Sequence, residues 1–431
     1  MFEHALPGWS RVNLTDLATY VNGYAFKPED WSEHGLPIVR IAQITGSSAD
    51  CDYYQGRLSE DVKIDNGDII FSWSGTLCVV QWNGGPAWLN QHLFKVKPAE
   101  GVSHRLLYHI LSHAVAEMDK SAHGSTMKHI KRSELKRYEL LFPNSRKEQE
   151  KIGRVLDTLD TQIQKTEALI AKLEKVKAGL LHDLLTRGID ENGRLRPSPE
   201  QAPELYKESP LGLIPREWGV GSLGDLSEIV SGVTLGGKSG SSAWPLVPYL
   251  RVANVQDGYL DLTDIKLIRV SPADIEKYRL LPGDVLMNEG GDFDKLGRGA
   301  LWQGQIDLCL HQNHVFRVRA TPGVLSPHFL TAFSSSAAGK RYFIRSSKQS
   351  TNLASINSTQ LKAFQVPLPS SGEQMLIVKE LQAMASKTES EKDFLDKVIT
   401  KKSGLMDDLL TGRVRVTPLL DQAQTQVTTP A

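Results

Sequence analysis

The 431 residues are 40% hydrophobic and 23% charged, enough apolar material to bury ordinary cores, and the length suggests two to four domains. Lys+Arg and Asp+Glu both number 50, which excludes bulk positive charge as a basis for binding nucleic acid and leaves only local patches for it. The start Met1-Phe2-Glu3-His4 lacks a signal-peptide pattern, no run is apolar enough to span a bilayer, and Cys51, Cys78 and Cys309 are too scattered for a disulfide framework or a zinc cluster, so a cytoplasmic chain with no membrane partner and no metal is expected.

In chain order, Pro7-Gly8-Trp9 and Leu14-Thr15-Asp16-Leu17 open a first unit. Pro37-Ile38-Val39-Arg40-Ile41-Ala42-Gln43-Ile44 reads as a strand, and Gly67-Asp68-Ile69-Ile70 as a turn followed by an apolar strand. Gln91-His92-Leu93-Phe94-Lys95-Val96-Lys97 alternates cleanly, and Leu140-Leu141-Phe142-Pro143 is a strand ending on proline. A helix is then predicted, with Ile152, Leu156, Leu159, Ile163, Ile170, Leu173, Leu180 and Leu184 on alternating steps of three and four, a heptad seam interrupted at Thr166 and Lys177.

Residues 188–209 carry Pro197, Pro199 and Pro203 among polar residues and suit an extended connector. Beyond it the unit is written again. Pro215-Arg216-Glu217-Trp218 and Leu223-Gly224-Asp225-Leu226 echo the opening; Pro248-Tyr249-Leu250-Arg251-Val252-Ala253-Asn254-Val255 echoes the first strand; Gly283-Asp284-Val285-Leu286, Asn313-His314-Val315-Phe316-Arg317-Val318-Arg319 and Phe364-Gln365-Val366-Pro367 echo the rest. A second seam follows in Ile377, Leu381, Met384, Leu395, Val398, Leu405 and Leu409, and the interrupting Lys177 recurs as Lys402. Both helices finish on similar ends, Leu184-Leu185-Thr186 and Leu409-Leu410-Thr411, each followed by glycine able to stop a helix. A chain repeated at this length must be read as duplicated units. Two heptad helices of about 40 residues, roughly 60 Å each, most simply pair with one another.

The order unit, long helix, unit, long helix resembles the specificity subunit of type I restriction-modification systems over nearly the whole chain. The stretch Tyr206-Lys207-Glu208-Ser209-Pro210-Leu211-Gly212-Leu213-Ile214-Pro215-Arg216-Glu217-Trp218 is similar to the family's lead into its second recognition domain. The resemblance implies an α+β fold: two tandem α/β target-recognition domains, 1–146 and 210–370, separated by spacer helices at 147–187 and 371–412 that form an antiparallel coiled coil with pseudo-two-fold symmetry, and a flexible tail at 413–431. It implies double-stranded DNA as ligand, each domain reading one half of a split site. It also implies two methyltransferase subunits and restriction translocase subunits as partners, with S-adenosylmethionine, ATP and magnesium used by those partners and no cofactor or catalytic residue in this chain.

Base edges are read by amides, Arg, His and hydroxyls, while Lys and Arg hold phosphates. Candidates in the first unit are Arg40, Gln43, Ser72, Trp73, Ser74 and His92, followed by Ser125, Thr126, Lys128, His129, Lys131 and Arg132 in a basic stretch opposed only by Glu134. In the second they are Arg251, Asn254, Asn288, Lys295 and Arg298 in and before a glycine-rich loop, then Gln312, Asn313, His314, Arg345, Lys348, Gln349 and Asn352.

Rival enzyme classes are poorly supported. Gly232-Val233-Thr234-Leu235-Gly236-Gly237-Lys238-Ser239 satisfies the phosphate-loop pattern, but Gly240-Ser241-Ser242-Ala243-Trp244-Pro245 is a poor helix start, and a phosphate cradle needs a helix N-terminus there. Asp61-Val62-Lys63 and Asp264-Ile265-Lys266 imitate part of a nuclease metal site without a further placed carboxylate. Neither an adenine-methyltransferase Asn-Pro-Pro-aromatic nor an Asp-Pro-Pro-aromatic motif is present. The alternative from another class is a protein-binding scaffold with duplicated domains, which selection on random DNA would separate from a DNA reader.

Overall fold

The computed structural model describes residues 6–121, 129, 130, 132–234, 243–291, 296, 297, 299–349 and 354–420. The chain divides into two units, residues 1–168 with 392–431 and residues 169–391. Unit 1 runs through β1 (Trp9–Asn13), β2 (Ala18–Asn22), β3 (Ile69–Ser72), β4 (Cys78–Gln81), β5 (Leu93–Pro98), α1 (His104–Ser121) and β6 (Glu139–Pro143) into the long helix α2 (Arg146–Thr186). Unit 2 carries β7 (Gly219–Ser222), β8 (Ser227–Ser231), β9 (Val285–Asn288), β10 (Gly299–Leu301), β11 (Val315–Ala320), α3 (Pro327–Ser335) and β12 (Gln365–Leu368) into the long helix α4 (Ser371–Leu410).

The sequence echo is a structural repeat. Both units hold a four-stranded antiparallel sheet of the same order, β2-β5-β3-β4 in unit 1 and β8-β11-β9-β10 in unit 2. Ala18 faces Pro98 and Ile69 faces Val96 in the first; Ser227 faces Ala320 and Val285 faces Val318 in the second. In each unit the opening strand pairs with the proline-bearing closing strand, Trp9 opposite Pro143 and Gly219 opposite Leu368, so each repeat is closed on itself.

The Gly-Asp turns have a shared cause. Gly67 and Gly283 adopt φ of +93° and +98°, which strains any residue with a Cβ. The aspartate that follows accepts the N–H three residues back, Asp65 to Asp68 at 2.8 Å and Leu281 to Asp284 at 2.7 Å. A cation from the alternating strand neutralises it: Lys95 at 2.9 Å from Asp68, and Arg319 bidentate on Asp284 at 2.7 and 2.8 Å. The first three residues of the next strand are apolar because both its faces are covered: Ile69 and Phe71 lie in the core that α1 covers, while Ile70 joins a second cluster with Val39, Ile64 and Leu89.

The heptad patterns form unbroken helices of 41 and 40 residues. Within unit 1, Ile152 and Leu156 near the start of α2 share a core with Leu405, Met406 and Leu409 near the end of α4. Within unit 2, Leu180, Leu184 and Leu185 near the end of α2 share a core with Ile377 and Leu381 near the start of α4. In each unit the start of one helix lies beside the end of the other, so the segments run antiparallel. Leu159, Ile170, Leu173 and Val398 are buried, and Ile163, Met384 and Leu395 half-buried. Thr166 continues the seam, buried with its hydroxyl donated to the Gln162 carbonyl, and Thr388 does the same on α4 towards Met384. Lys177 is exposed.

The connector, expected to be extended, is packed. Ile189, Ala202 and Tyr206 are buried, and Tyr206–Lys207 pairs with Ile214–Pro215. Its anchor is Arg196, which ion-pairs with Glu373 on the first turn of α4; the same carboxylate accepts the Trp218 indole N–H at 3.0 Å and the Ile189 N–H at 2.9 Å. Unit 1 repeats the arrangement: Arg415, beyond the end of α4, grips Glu148 on the first turn of α2 at 2.7 and 2.9 Å and lies 5.5 Å from the centre of the Trp9 ring. The expected tail therefore begins as a seated segment, with Val416 buried.

Candidate nucleic-acid interface

In unit 1 the end of β3 and the turn before β5 bring several predicted residues together. Ser72 donates its hydroxyl to the Ser74 carbonyl at 3.2 Å, and the Ser74 hydroxyl lies 3.4 Å from His92 Nδ1. Ser74 bridges to His129, and the Ile130 N–H bonds the Trp73 carbonyl at 2.9 Å. The half-buried Trp73 ring is flanked by His92 at 6.0 Å and His129 at 6.1 Å between centroids, both histidines exposed. Gly75, at φ +68°, turns the chain beside them. An aromatic face edged by two imidazoles and backed by hydroxyls offers stacking and both donor and acceptor contacts.

The matching place in unit 2 holds a different pair. His314 Nδ1 lies 2.6 Å from Glu289 Oε2, and Asn313 Nδ2 is 3.3 Å from His314 Nε2. Glu289 directly follows β9 and leads into a short strand, Gly290–Gly291, which pairs with Ala354–Ser355; that strand also pairs with Lys348–Gln349. Gln312 and Asn313 are half-buried beside His314, and Arg345 is exposed in the last turn of the helix Ala337–Ser346.

Other candidates are committed to local structure. The Gln43 amide accepts the Arg40 N–H at 2.9 Å and donates to the Asp50 carbonyl at 2.6 Å, while Arg40 pairs with Asp52 and stacks 5.5 Å from the Trp31 ring centre. In unit 2 Asn254 accepts the Arg251 N–H at 2.9 Å and donates to the Asp261 and Asp264 carbonyls, and Arg251 pairs with Asp264 at 2.9 Å. The repeated Arg-amide echo, expected within a strand, is thus a repeated helix start: the strands end at Val39 and Leu250, and Ile41–Thr45 and Val252–Asn254 are short helices whose third residue caps the Arg N–H. Asn288 is buried, its amide donated to the Val252 and Val255 carbonyls at 3.3 and 3.0 Å. Ser125, Thr126, Lys128, Lys131, Lys295, Arg298 and Asn352 lie outside the described residues, as do the side chains of Arg132, Lys348 and Gln349.

The sequence family described as Type I restriction modification DNA specificity domain matches residues 7–175 and again 215–400. The chain belongs to this family. It is 24% identical over 416 residues to the Type I restriction enzyme EcoBI specificity subunit of Escherichia coli, covering 94% of this chain and 85% of that one. It is 23% identical over 420 residues to the Type I restriction enzyme MjaVIII specificity subunit of Methanocaldococcus jannaschii, covering 95% and 93%. In fold it is similar to the type I restriction-modification S subunit of M. genitalium, with a TM-score of 0.55 at 15% identity over 93% of this chain and 96% of that one.

Specificity subunits are thus the chain's relatives, and its two tandem domains carry the type I specificity function. The phosphate-loop pattern has a structural explanation within this fold. A Cβ on Gly232 would stand 1.9 Å from the His311 carbonyl oxygen, and one on Gly23, at the equivalent place in unit 1, 2.2 Å from that of Asn90. Close backbone approach requires both glycines; Leu235–Ser239 lie outside the described residues. Among the described residues no helix is long and apolar enough to cross a membrane.

Sequence reasoning missed Glu289 and the two Arg-Glu-Trp anchors. The anchors had a signal. Gly193-Arg194-Leu195-Arg196 is echoed by Gly412-Arg413-Val414-Arg415, one copy in the supposed connector and the other in the supposed tail. Glu289 had none, because a lone acidic residue before two glycines reads as a turn.

Proposed function

We propose that the chain reads a split DNA site without catalysing any step itself: unit 1 reads one half through Trp73, Ser74, His92 and His129, and unit 2 the other through Glu289, Asn313 and His314. The observation that carries this reading is the matched position of His92 and His314, each exposed on the turn before the alternating strand and each meeting the residue that follows the Gly-Asp strand. Family membership supports DNA as the ligand. Trp73 and Glu289 differ in chemistry, one an apolar face and the other an acceptor suited to a cytosine amino group, so the two half-sites should differ in sequence.

Two methyltransferase subunits and restriction translocase subunits complete the enzyme in this reading. Those partners flip and methylate an adenine in each half-site, and they use the S-adenosylmethionine, ATP and magnesium. The chain works in the cytoplasm, where the DNA and the partner subunits are. Methylome sequencing of cells that express the chain with its methylating partner tests the proposal. The expected result is methylated adenines in a two-part motif with a fixed gap; methylation independent of sequence, or a continuous motif, would overturn it.

A further inference from the structure

Where the long helices meet the helix packed against them, the two units share a plan but not its side chains. In unit 1 α1 lays the fully buried His109 against α2, with Nε2 2.9 Å from Asp157 and Nδ1 3.7 Å from Asp160. Lys402 of α4 ion-pairs with Asp160, and Arg105 with Asp157. The space is filled by this imidazole and by the ion-paired side chains, with His109 Nδ1 and Asp160 Oδ2 left without a hydrogen-bond partner among the described residues.

Equivalent positions in unit 2 follow from two offsets anchored by hydrogen bonds. Gln149 and Gln374 each accept an N–H ahead of the packed helix, from Ser103 at 2.8 Å and from Ser326 at 2.7 Å. The long helices are therefore offset by 225 residues, and α1 and α3 by 223. The second offset also aligns buried Leu106 and Leu107 with buried Phe329 and Leu330. Under them Asp157 becomes Gln382, Asp160 becomes Ala385, His109 becomes Ala332, Arg105 becomes His328, and Lys402 corresponds to Lys177. All five unit-2 residues line one cavity of about 520 Å³. The imidazole and both carboxylates that fill this place in unit 1 are gone, the lysine remains, and among the described residues no carboxylate pairs with Lys177.

We propose that this cavity binds a small organic anion, a carboxylate on an apolar body, whose charge Lys177 takes as Lys402 takes that of Asp160. Its size falls within the range of about 300–1,000 Å³ usual for ligand sites. Leu260, Leu301 and Leu381 supply apolar wall, and Gln303, Gln305 and His328 supply hydrogen-bonding groups. A lysine beside an apolar wall binds a charged oxygen more strongly than a neutral one. The inference is independent of the DNA-reading assignment, since none of these residues belongs to it.

The test is calorimetric titration of the full chain with hydrocinnamate and with its uncharged amide. The acid is expected to bind at least about tenfold more tightly than the amide. Lys177→Met should abolish that difference. Ala385→Asp places within the protein the carboxylate that unit 1 has, and should remove acid binding without lowering the melting temperature. Equal affinity for acid and amide, binding of neither by the unaltered chain, or undiminished acid binding by Ala385→Asp would overturn the proposal. If instead Ala385→Asp weakens only association with the methylating partner, the cavity holds an acidic protein segment and the small-molecule assignment is wrong.

Discussion

His92 and His314 show what a repeat reveals about single residues. Their shared position was legible because Gln91-His92 and Asn313-His314 precede the same alternating strand. Their surroundings were not, since the partners Trp73 and Glu289 are distant in sequence and are brought in by sheet register. Losing one base-edge contact costs about 1–3 kcal/mol at the base it reads. His92→Ala is therefore expected to relax methylation specificity in one half-site only, and His314→Ala in the other, as read by motif analysis of methylated DNA from each variant; both variants relaxing the same half would contradict the assignment. His311 offers a separate test of stability. It is fully buried, Nδ1 lies 2.7 Å from the Val315 carbonyl, Nε2 has no partner, and burial pushes its pKa down to about 4. The unfolded chain takes up this proton near pH 6.5 while the folded chain stays neutral, so the stability that a neutral His311 confers is intact above about pH 6.5 and is lost as pH falls towards 4. Unit 1 has the buried Leu89 at the same place. His311→Leu should flatten the fall in melting temperature between neutral and mildly acidic pH, removing up to about 3 kcal/mol of pH dependence; an unchanged slope would show that the imidazole does not titrate as its burial implies.

At the scale of elements, the strands and helices were legible because their periods differ: two in Leu93–Val96, seven along α2 and α4. What stayed hidden was how each long helix begins. Reading residues 188–209 by their prolines gave an extended connector, because composition reports chain stiffness and not whether one arginine finds a buried carboxylate. Glu373 and Arg196 are both nearly buried, and removing one partner of such a pair leaves the other charged in a low-dielectric site at a cost of about 3–5 kcal/mol. Glu373→Ala is expected to destabilise unit 2 by about that amount, with a smaller loss for Glu373→Gln, which keeps an acceptor for the Trp218 indole. In unit 1 the corresponding cation comes from beyond α4, so a chain ending after Leu410 should lose stability in unit 1 while unit 2 keeps its own anchor. Hydrogen exchange resolved by segment distinguishes the two; equal loosening of both units in the shortened chain would count against separate anchors.

On the scale of the whole molecule, α2 and α4 are the two segments that belong partly to each unit, α2 up to Ala168 and from Leu169, α4 up to Glu391 and from Lys392. The duplication that makes this possible was readable from sequence alone, since both halves carry the same motifs in the same order. The family match to both halves agrees with that reading. If paired helices keep two DNA-reading units apart, the gap in the recognised site is a property of helix length rather than of any base contact. Inserting one heptad into each helix at those two boundaries keeps the seam in phase and adds about 10 Å to both. At 3.4 Å per base pair, the methylated motif should then keep both half-sites and widen its gap by up to about three pairs. An insertion in one helix alone shifts its seam against the partner and should cost stability instead, because Leu159, Ile170, Leu173 and Val398 would lose their burial together. A matched double insertion that methylates the original motif with its gap unchanged would show that the helices do not set the distance, and would return the choice of site to the units themselves.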